Sequence, residues 1–187
     1  MRLAFYKPNS KNTGSAASFQ IARKEGEEPI FFVNIINQHS WDAAKRIGSF
    51  AGSRKDPNKN VSFKLGETEL GEILHTINTG IGWSGYHKSP NGSTQIRFAA
   101  YKKKRGIKEG EPESGEEYIC YGFSVIKNGA NRFAVPLEPG EYLRLAAFIN
   151  KYYSVLDDYR EKTWNDGAAN NTPAAETQEV QNNEVEF

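Results

Sequence analysis

Leu65 to Asn78 reads LGETELGEILHTIN and Leu137 to Asn150 reads LEPGEYLRLAAFIN, and the two stretches lie 72 positions apart. Leu65 matches Leu137, Glu69 matches Glu141, Ile73 matches Leu145, Ile77 matches Ile149 and Asn78 matches Asn150. Each stretch follows a segment of alternating apolar residues, Val61, Phe63 and Leu65 in one and Phe133, Val135 and Leu137 in the other. Alternation is the period of a half-buried strand, and apolar residues three and four apart are the period of a helix with one buried stripe. The repeated unit is therefore strand, tight turn, amphipathic helix, and a repeat of this kind decides the architecture. It predicts an α+β chain of two pseudo-repeats, 1–80 and 81–164, each with three or four antiparallel strands followed by a helix.

The rest of the chain fits around these copies. Gln95 to Lys104 and Tyr118 to Lys127 read as strands, and Gly82 to Lys88 as a glycine-rich, aromatic one. Pro90-Asn91-Gly92-Ser93 is a hairpin turn and Asn128-Gly129 begins another. The second helix is predicted from Pro139 to Tyr159, with proline in its first turn. In the first half, 5–18 reads as a loop or arm, Phe19 to Lys24 as a strand, and Ile30 to Asn37 as a central strand apolar on both faces. Ser40 is placed to cap a short helix from Trp41 to Phe50. A polar, basic loop with Arg54, Lys55 and Lys59 follows, and 106–117 is a long charged loop.

Charge divides the chain. Residues 165–187 hold no Lys or Arg and carry Asp166, Glu176, Glu179, Glu184 and Glu186, so the net +1 splits into −5 for this tail and +6 for 1–164. The tail is rich in Asn, Thr, Ala, Gln and Glu, buries too little apolar area to offset its ordering entropy, and is expected to be disordered. A basic body with an acidic tail is a prior for nucleic-acid binding. Glu184, Glu186 and the terminal Phe187 form a motif that can dock on a partner, such as a replication or recombination protein. The same residues also suit a merely solubilising tail.

Enzymatic signatures are absent. There is no GxxxxGK[ST], no HExxH and no GxSxG. His39, His75 and His87 are scattered without metal-ligand spacing, and no metal or cofactor is implied. Glu67, Glu69 and Glu72 sit where a helix dipole favours negative charge, which points to capping rather than acid catalysis. Cys120 is the only cysteine, so a reducing cytoplasm is expected, the host's if the source is a virus. No signal peptide and no membrane-spanning run is expected.

One strand carries the binding chemistry. On Gln95 to Lys103, Ile96, Phe98 and Ala100 point one way, and Gln95, Arg97, Ala99, Tyr101 and Lys103 the other. Cations for phosphates and flat rings for bases are what a single strand of nucleic acid needs. Lys102, Lys103, Lys104 and Arg105 form a basic block at the strand end. Trp83, Tyr86, His87 and Lys88 add an aromatic-basic cluster, and Arg23 and Lys24 end the corresponding strand of the first half. An ordinary solvated sheet face has the same composition, so the two readings stay open at this point.

The junction Arg132-Phe133-Ala134-Val135-Pro136-Leu137-Glu138-Pro139-Gly140-Glu141-Tyr142, with its counterpart at Phe63 to Leu70, resembles the Whirly-like family of single-stranded DNA-binding proteins, which shares its fold with a eukaryotic transcription coactivator. The resemblance covers roughly 17–160 and implies two four-stranded antiparallel sheets, each followed by a helix. It implies binding of single strands along the sheets with little sequence preference, on Arg97, Tyr101 and Lys103 with Trp83 and Tyr86 nearby. No lysine-rich motif of the plant members stands on Ile30 to Asn37, and the helix expected at Trp41 to Phe50 is an insertion. The tail resembles that of bacterial and phage replication single-strand binders, most of which use an OB-fold. The expected function is thus a non-enzymatic single-stranded DNA-binding protein of replication or recombination, with helices that pack behind the sheets or join protomers of a homo-oligomer. An RNA-binding or transcription-regulating module, an OB-fold binder and a plain interaction protein are the alternatives.

Overall fold

Two equivalent helix starts organise the molecule, which is described from a computed structural model over residues 1–90, 92–104 and 117–170, with side chains to 166. Helix α1 runs Glu67–Thr79 and helix α2 Pro139–Asn170. The matched glutamates do the same job: the Glu69 carboxylate accepts a hydrogen bond from the Gly66 N–H at 2.9 Å, and the Glu141 carboxylate from the Glu138 N–H at 2.8 Å. Each ties an otherwise unpaired donor at a helix start. Helix α1 stops at Gly80, whose φ of 80° suits glycine and whose N–H reaches the Thr76 carbonyl.

The strands feeding these helices close two antiparallel sheets. Strands β1 (Arg2–Lys7), β2 (Ser15–Ala22), β3 (Ile30–Asn37) and β6 (Asn60–Leu65) form the first, in the order β1-β2-β3-β6. Strands β7 (Trp83–Ser89), β8 (Gly92–Lys104), β9 (Glu117–Lys127) and β10 (Asn131–Leu137) form the second, in the order β7-β8-β9-β10. Both are simple meanders whose last strand leads into the helix. The β9–β10 turn has Asn128 and Gly129 at φ 55° and 70°, the positive pair that matches strand twist.

A single core lies on the inner faces of both sheets. Phe19, Phe31, Val33 and Phe63 of the first sheet meet Phe98, Phe123, Phe133 and Val135 of the second, with Phe19 and Phe123 5.8 Å apart between ring centres. Leu70 and Ile73 of α1, and Leu145, Ile149, Tyr152 and Leu156 of α2, cover them from the same side. Each fully buried large apolar side chain contributes about 1.5–3 kcal/mol. The helices therefore occupy one side of the sheets and leave the other side open.

Four segments differ from expectation. Residues 5–18 are not one loop: Leu3 and Phe5 alternate inward on β1 and pack on the core, and β2 already begins at Ser15. No helix forms at Trp41 to Phe50. Strands β4 (Ser40–Asp42) and β5 (Ile47–Ser49) make a small ribbon there, followed by a 3-10 turn at Gly52–Lys55. The segment lacks an apolar stripe to bury. The Asp42 carboxylate instead accepts the Lys45 N–H at 3.0 Å, and Arg46 turns the chain with φ 54°. The first-half strand ends at Ala22, which leaves Arg23 and Lys24 outside it. Helix α2 continues to Asn170, beyond the end expected at Tyr159 and into the segment expected to be disordered from 165, and the Tyr159 hydroxyl donates to the Gly26 carbonyl at 3.0 Å. Arg105, Glu184, Glu186 and Phe187 lie outside the described residues.

Candidate nucleic-acid interface

The open side of the second sheet is set by register. Arg97 on β8 pairs with Ser84 on β7 and Ser124 on β9, Ala99 with Gly122, and Tyr86 with Gln95. Ser124 and Gly122 pair in turn with Ala134 and Pro136 on β10. The floor of this face is thus made of Ala99, Gly122, Ser124 and Ala134, residues too small to fill the space above them. A depression of about 500 Å³ lies over them, bounded by Arg97, Tyr101 and Pro136. A second, of about 540 Å³, lies beside it under Tyr86, Gln95 and Ile126. Gly122 permits the shape: a Cβ there would stand 3.0 Å from the Val135 carbonyl oxygen and 3.5 Å from the Tyr101 ring.

Tyr101 is 37% exposed and Tyr86 58% exposed, so both rings offer a face to solvent while their strands hold them. Burial pushes the Tyr101 phenol well above its ordinary value, with the Cys120 thiol beneath it adding to the effect, and the ring stays neutral at physiological pH. A neutral ring beside cations suits stacking against bases whose phosphates are held nearby.

The cations are not equivalent. Among the described residues Arg97, Lys88 and Arg132 have no acidic partner, whereas Lys102 pairs with Glu117 at 3.1 Å and Lys103 with Glu138. The hydrogen bond to Glu138 raises Lys103 above its ordinary pKa and holds Glu138 below the usual carboxylate range. Lys102 and Lys103 also point to opposite faces, since neighbours on a strand alternate. A lysine already neutralised by a carboxylate offsets less of a phosphate's charge, and so releases less of the counterion condensed on the strand. Arg97→Ala is therefore expected to reduce the salt slope of single-strand binding by about 0.7, and Lys103→Ala by clearly less. Log-affinity against log-salt titrations of the two variants check this; equal slopes would contradict it.

Four other residues singled out in the sequence sit elsewhere. Trp83 pairs with Phe98 and packs against the core, on the helix side, so its indole is not on the open face. His87 shares that side and lies 2.7 Å from the Glu69 carboxylate. Arg23 stacks over the Tyr159 ring of α2, 5.6 Å from its centre, and Lys24 pairs with Glu27, both away from the depressions.

The first sheet offers residues that the sequence does not single out. Gln20, Phe32 and Lys64 stand side by side on its open face, with Arg2 at the end of the row, and the Lys64 ammonium lies 5.5 Å from the centre of the Phe32 ring. Sequence carries no signal for Phe32, because Ile30 to Asn37 is apolar on both faces; the burial of Phe31, Val33 and Ile35 shows that Phe32 lies outside. The two sheets meet where β10 lies beside β2 and β3, and there the Asn37 amide donates to the Arg132 carbonyl at 3.1 Å. A depression of about 550 Å³ spans this seam, lined by Asn12, Thr13, Asn37, Lys59 and Arg132. It shares Ser124 and Ile126 with the one under Tyr86, so the open surface is continuous across the sheets.

This arrangement of two four-stranded meanders, each ending in a helix, matches solved structures. The crystal structure of WHY1 from Arabidopsis thaliana superposes with a TM-score of 0.51 at 11% identity, covering 93% of this chain and 95% of the other. The fold is Whirly-like. A structure of the plant transcriptional regulator PBF-2 agrees, with a TM-score of 0.50 at 13% identity over 92% of this chain and 88% of that one. No protein-family model and no curated protein matches the sequence significantly. Relative to the expected Whirly-like pattern, the β4–β5 ribbon stands in place of the helical insertion. Among the described residues no helix is long and apolar enough to cross a membrane.

Proposed function

We propose that this protein binds single-stranded DNA with little sequence preference along the open faces of its sheets, without catalysis. The observation that carries the reading is the second sheet's open face, where Tyr86 and Tyr101 flank a small-residue floor beside the unpaired Arg97. The Whirly-like fold supports it, because it leaves this side clear of both helices. Sequence-independent stacking follows from chemistry, since every base has a flat face and no ladder of donors reads a particular edge.

The test is fluorescence anisotropy of labelled oligo-dT, competed by duplex DNA and by RNA across a salt series. Tight binding that weakens with salt and that duplex does not compete supports the reading. No binding at low salt overturns it. A preference for RNA would favour the second reading, a transcription-regulating or RNA-binding module, which the likeness to a transcriptional regulator motivates.

The cellular setting we infer is replication or recombination in a phage or bacterium, with the acidic C-terminal segment recruiting a partner protein and the helices available to join protomers. Deletion of Glu184 to Phe187 is expected to leave oligo-dT affinity unchanged or higher, because removing acids lowers repulsion of phosphate. A loss of affinity of tenfold or more in the same titration, about 1.4 kcal/mol, would contradict that role.

A further inference from the structure

The segment between β3 and β6, residues 38–59, is an insertion between two paired strands of the first sheet, and it is basic. It carries Lys45, Arg46, Arg54, Lys55 and Lys59 against only Asp42 and Asp56. Both acids are occupied locally, Asp42 with the Lys45 N–H and Asp56 with the Asn58 N–H at 2.9 Å. Among the described residues Arg46, Arg54, Lys55 and Lys59 have no acidic partner, and Lys45 reaches Asp42 only at 4.0 Å.

The segment is also held in place. The Lys127 ammonium donates to the Pro57 carbonyl at 3.0 Å and to the Asn60 carbonyl at 3.4 Å, and the Asn131 amide donates to the Asn58 side chain at 3.0 Å. Strands β9 and β10 of the second sheet thus anchor a loop that belongs to the first. The Asn60 side chain donates to the Arg54 carbonyl at 2.9 Å, which fixes the 3-10 turn, and Phe50 stacks edge-on with Tyr6 at 6.0 Å. A backbone held in this way keeps the points from which these cations project in place before a polyanion arrives. Lys59 lines the seam depression, which continues into the open face of the second sheet.

We propose that this insertion extends the nucleic-acid path: a single strand lying over Tyr101 and Arg97 crosses the seam past Arg132 and Lys59, and its next phosphates are held by Arg54 and Lys55. The proposal rests on the single-strand reading above and adds to it a second contact region and a longer site. An acidic protein would find the same charge, but the continuity of the depression from the ring-lined face into Lys59 favours the strand.

The test uses the full chain with oligo-dT of graded length. The variant Arg54→Ser/Lys55→Ser/Lys59→Ser changes surface side chains, and circular dichroism and melting check that it folds as the parent does. Its salt slope is expected to fall by about 2, the release expected from three fewer phosphate contacts on a single strand. The shortest oligo-dT that gives full affinity is expected to become shorter. Tyr101→Ala, by contrast, is expected to weaken binding and leave the slope unchanged. Parent and triple variant with the same slope and the same minimal length would overturn the extended path while leaving the sheet-face reading intact. A parent that fails to bind any oligo-dT would overturn both.

Discussion

Tyr101→Ala lowers the affinity for oligo-dT by between about 5-fold and 150-fold, because each base stacked on an aromatic ring contributes about 1–3 kcal/mol. The ring is the one aromatic surface that both borders the small-residue floor and stays partly exposed on the long central strand β8. Tyr101→Phe keeps the flat surface and is expected to bind within a few fold of the parent. This comparison separates stacking from the hydroxyl. It also guards against a trivial loss by unfolding, since alanine removes the ring beside Cys120 while phenylalanine keeps it, and a melting curve reports the difference. Alanine binding as tightly as the parent would remove Tyr101 from the site. Because the phenol is raised and stays neutral, affinity is expected not to change through Tyr101 as pH goes from 7 to 9.

Phe98→Ala is expected to cost about 3–5 kcal/mol of stability, the range for emptying a fully buried aromatic site. Phe98 has no solvent exposure, stacks on Tyr121 at 5.7 Å and meets Phe123 at 4.7 Å between ring centres. It lies one residue from Arg97, on the opposite face of the same strand, so it tests whether the core and the open face are separable. For a chain of this size the melting temperature should fall by about 6–20 °C, at about 2–4 °C per kcal/mol. Below the new transition the variant is expected to bind oligo-dT normally, because the open face needs only the strand's backbone. A melting temperature within 2 °C of the parent's would show that Phe98 is not packed as described.

The repeat made much of this fold legible. Glu69 and Glu141 match in sequence and cap equivalent helices, and Val61-Phe63-Leu65 and Phe133-Val135-Leu137 are the inward rows of equivalent edge strands. Alternation along β8 correctly separates Ile96 and Phe98 from Arg97 and Tyr101, because sheet parity is a local property. What local pattern does not contain is which neighbour a strand pairs with. Trp83 has the composition of a ligand platform, yet pairing with Phe98 turns it to the core. Lys103 looks like a phosphate contact, yet Glu138, 35 positions away, already holds it. Arg23 and Lys24 look like the basic rim of their strand, yet the strand stops at Ala22, and the long α2 helix captures Arg23 on Tyr159. Phe32 is hidden from a sequence reading because β3 is apolar on both faces, and only the burial of Phe31 and Val33 shows which face is open. The ribbon at 40–49 was beyond reach for the opposite reason: it is held by turn hydrogen bonds at Asp42 and by packing of Gly48 against Pro8, not by periodic apolar residues.

The central claim is that a single strand lies on the open side of the sheets and not on the helices. Photocrosslinking of oligo-dT to the full chain, followed by identification of the adducted peptides, tests it most directly. Adducts on the β8 peptide carrying Tyr101, on the β7 peptide carrying Tyr86, and on the β3 peptide carrying Phe32 are the predicted result. Adducts confined to the exposed faces of α1 and α2, with none on these three strands, would contradict it.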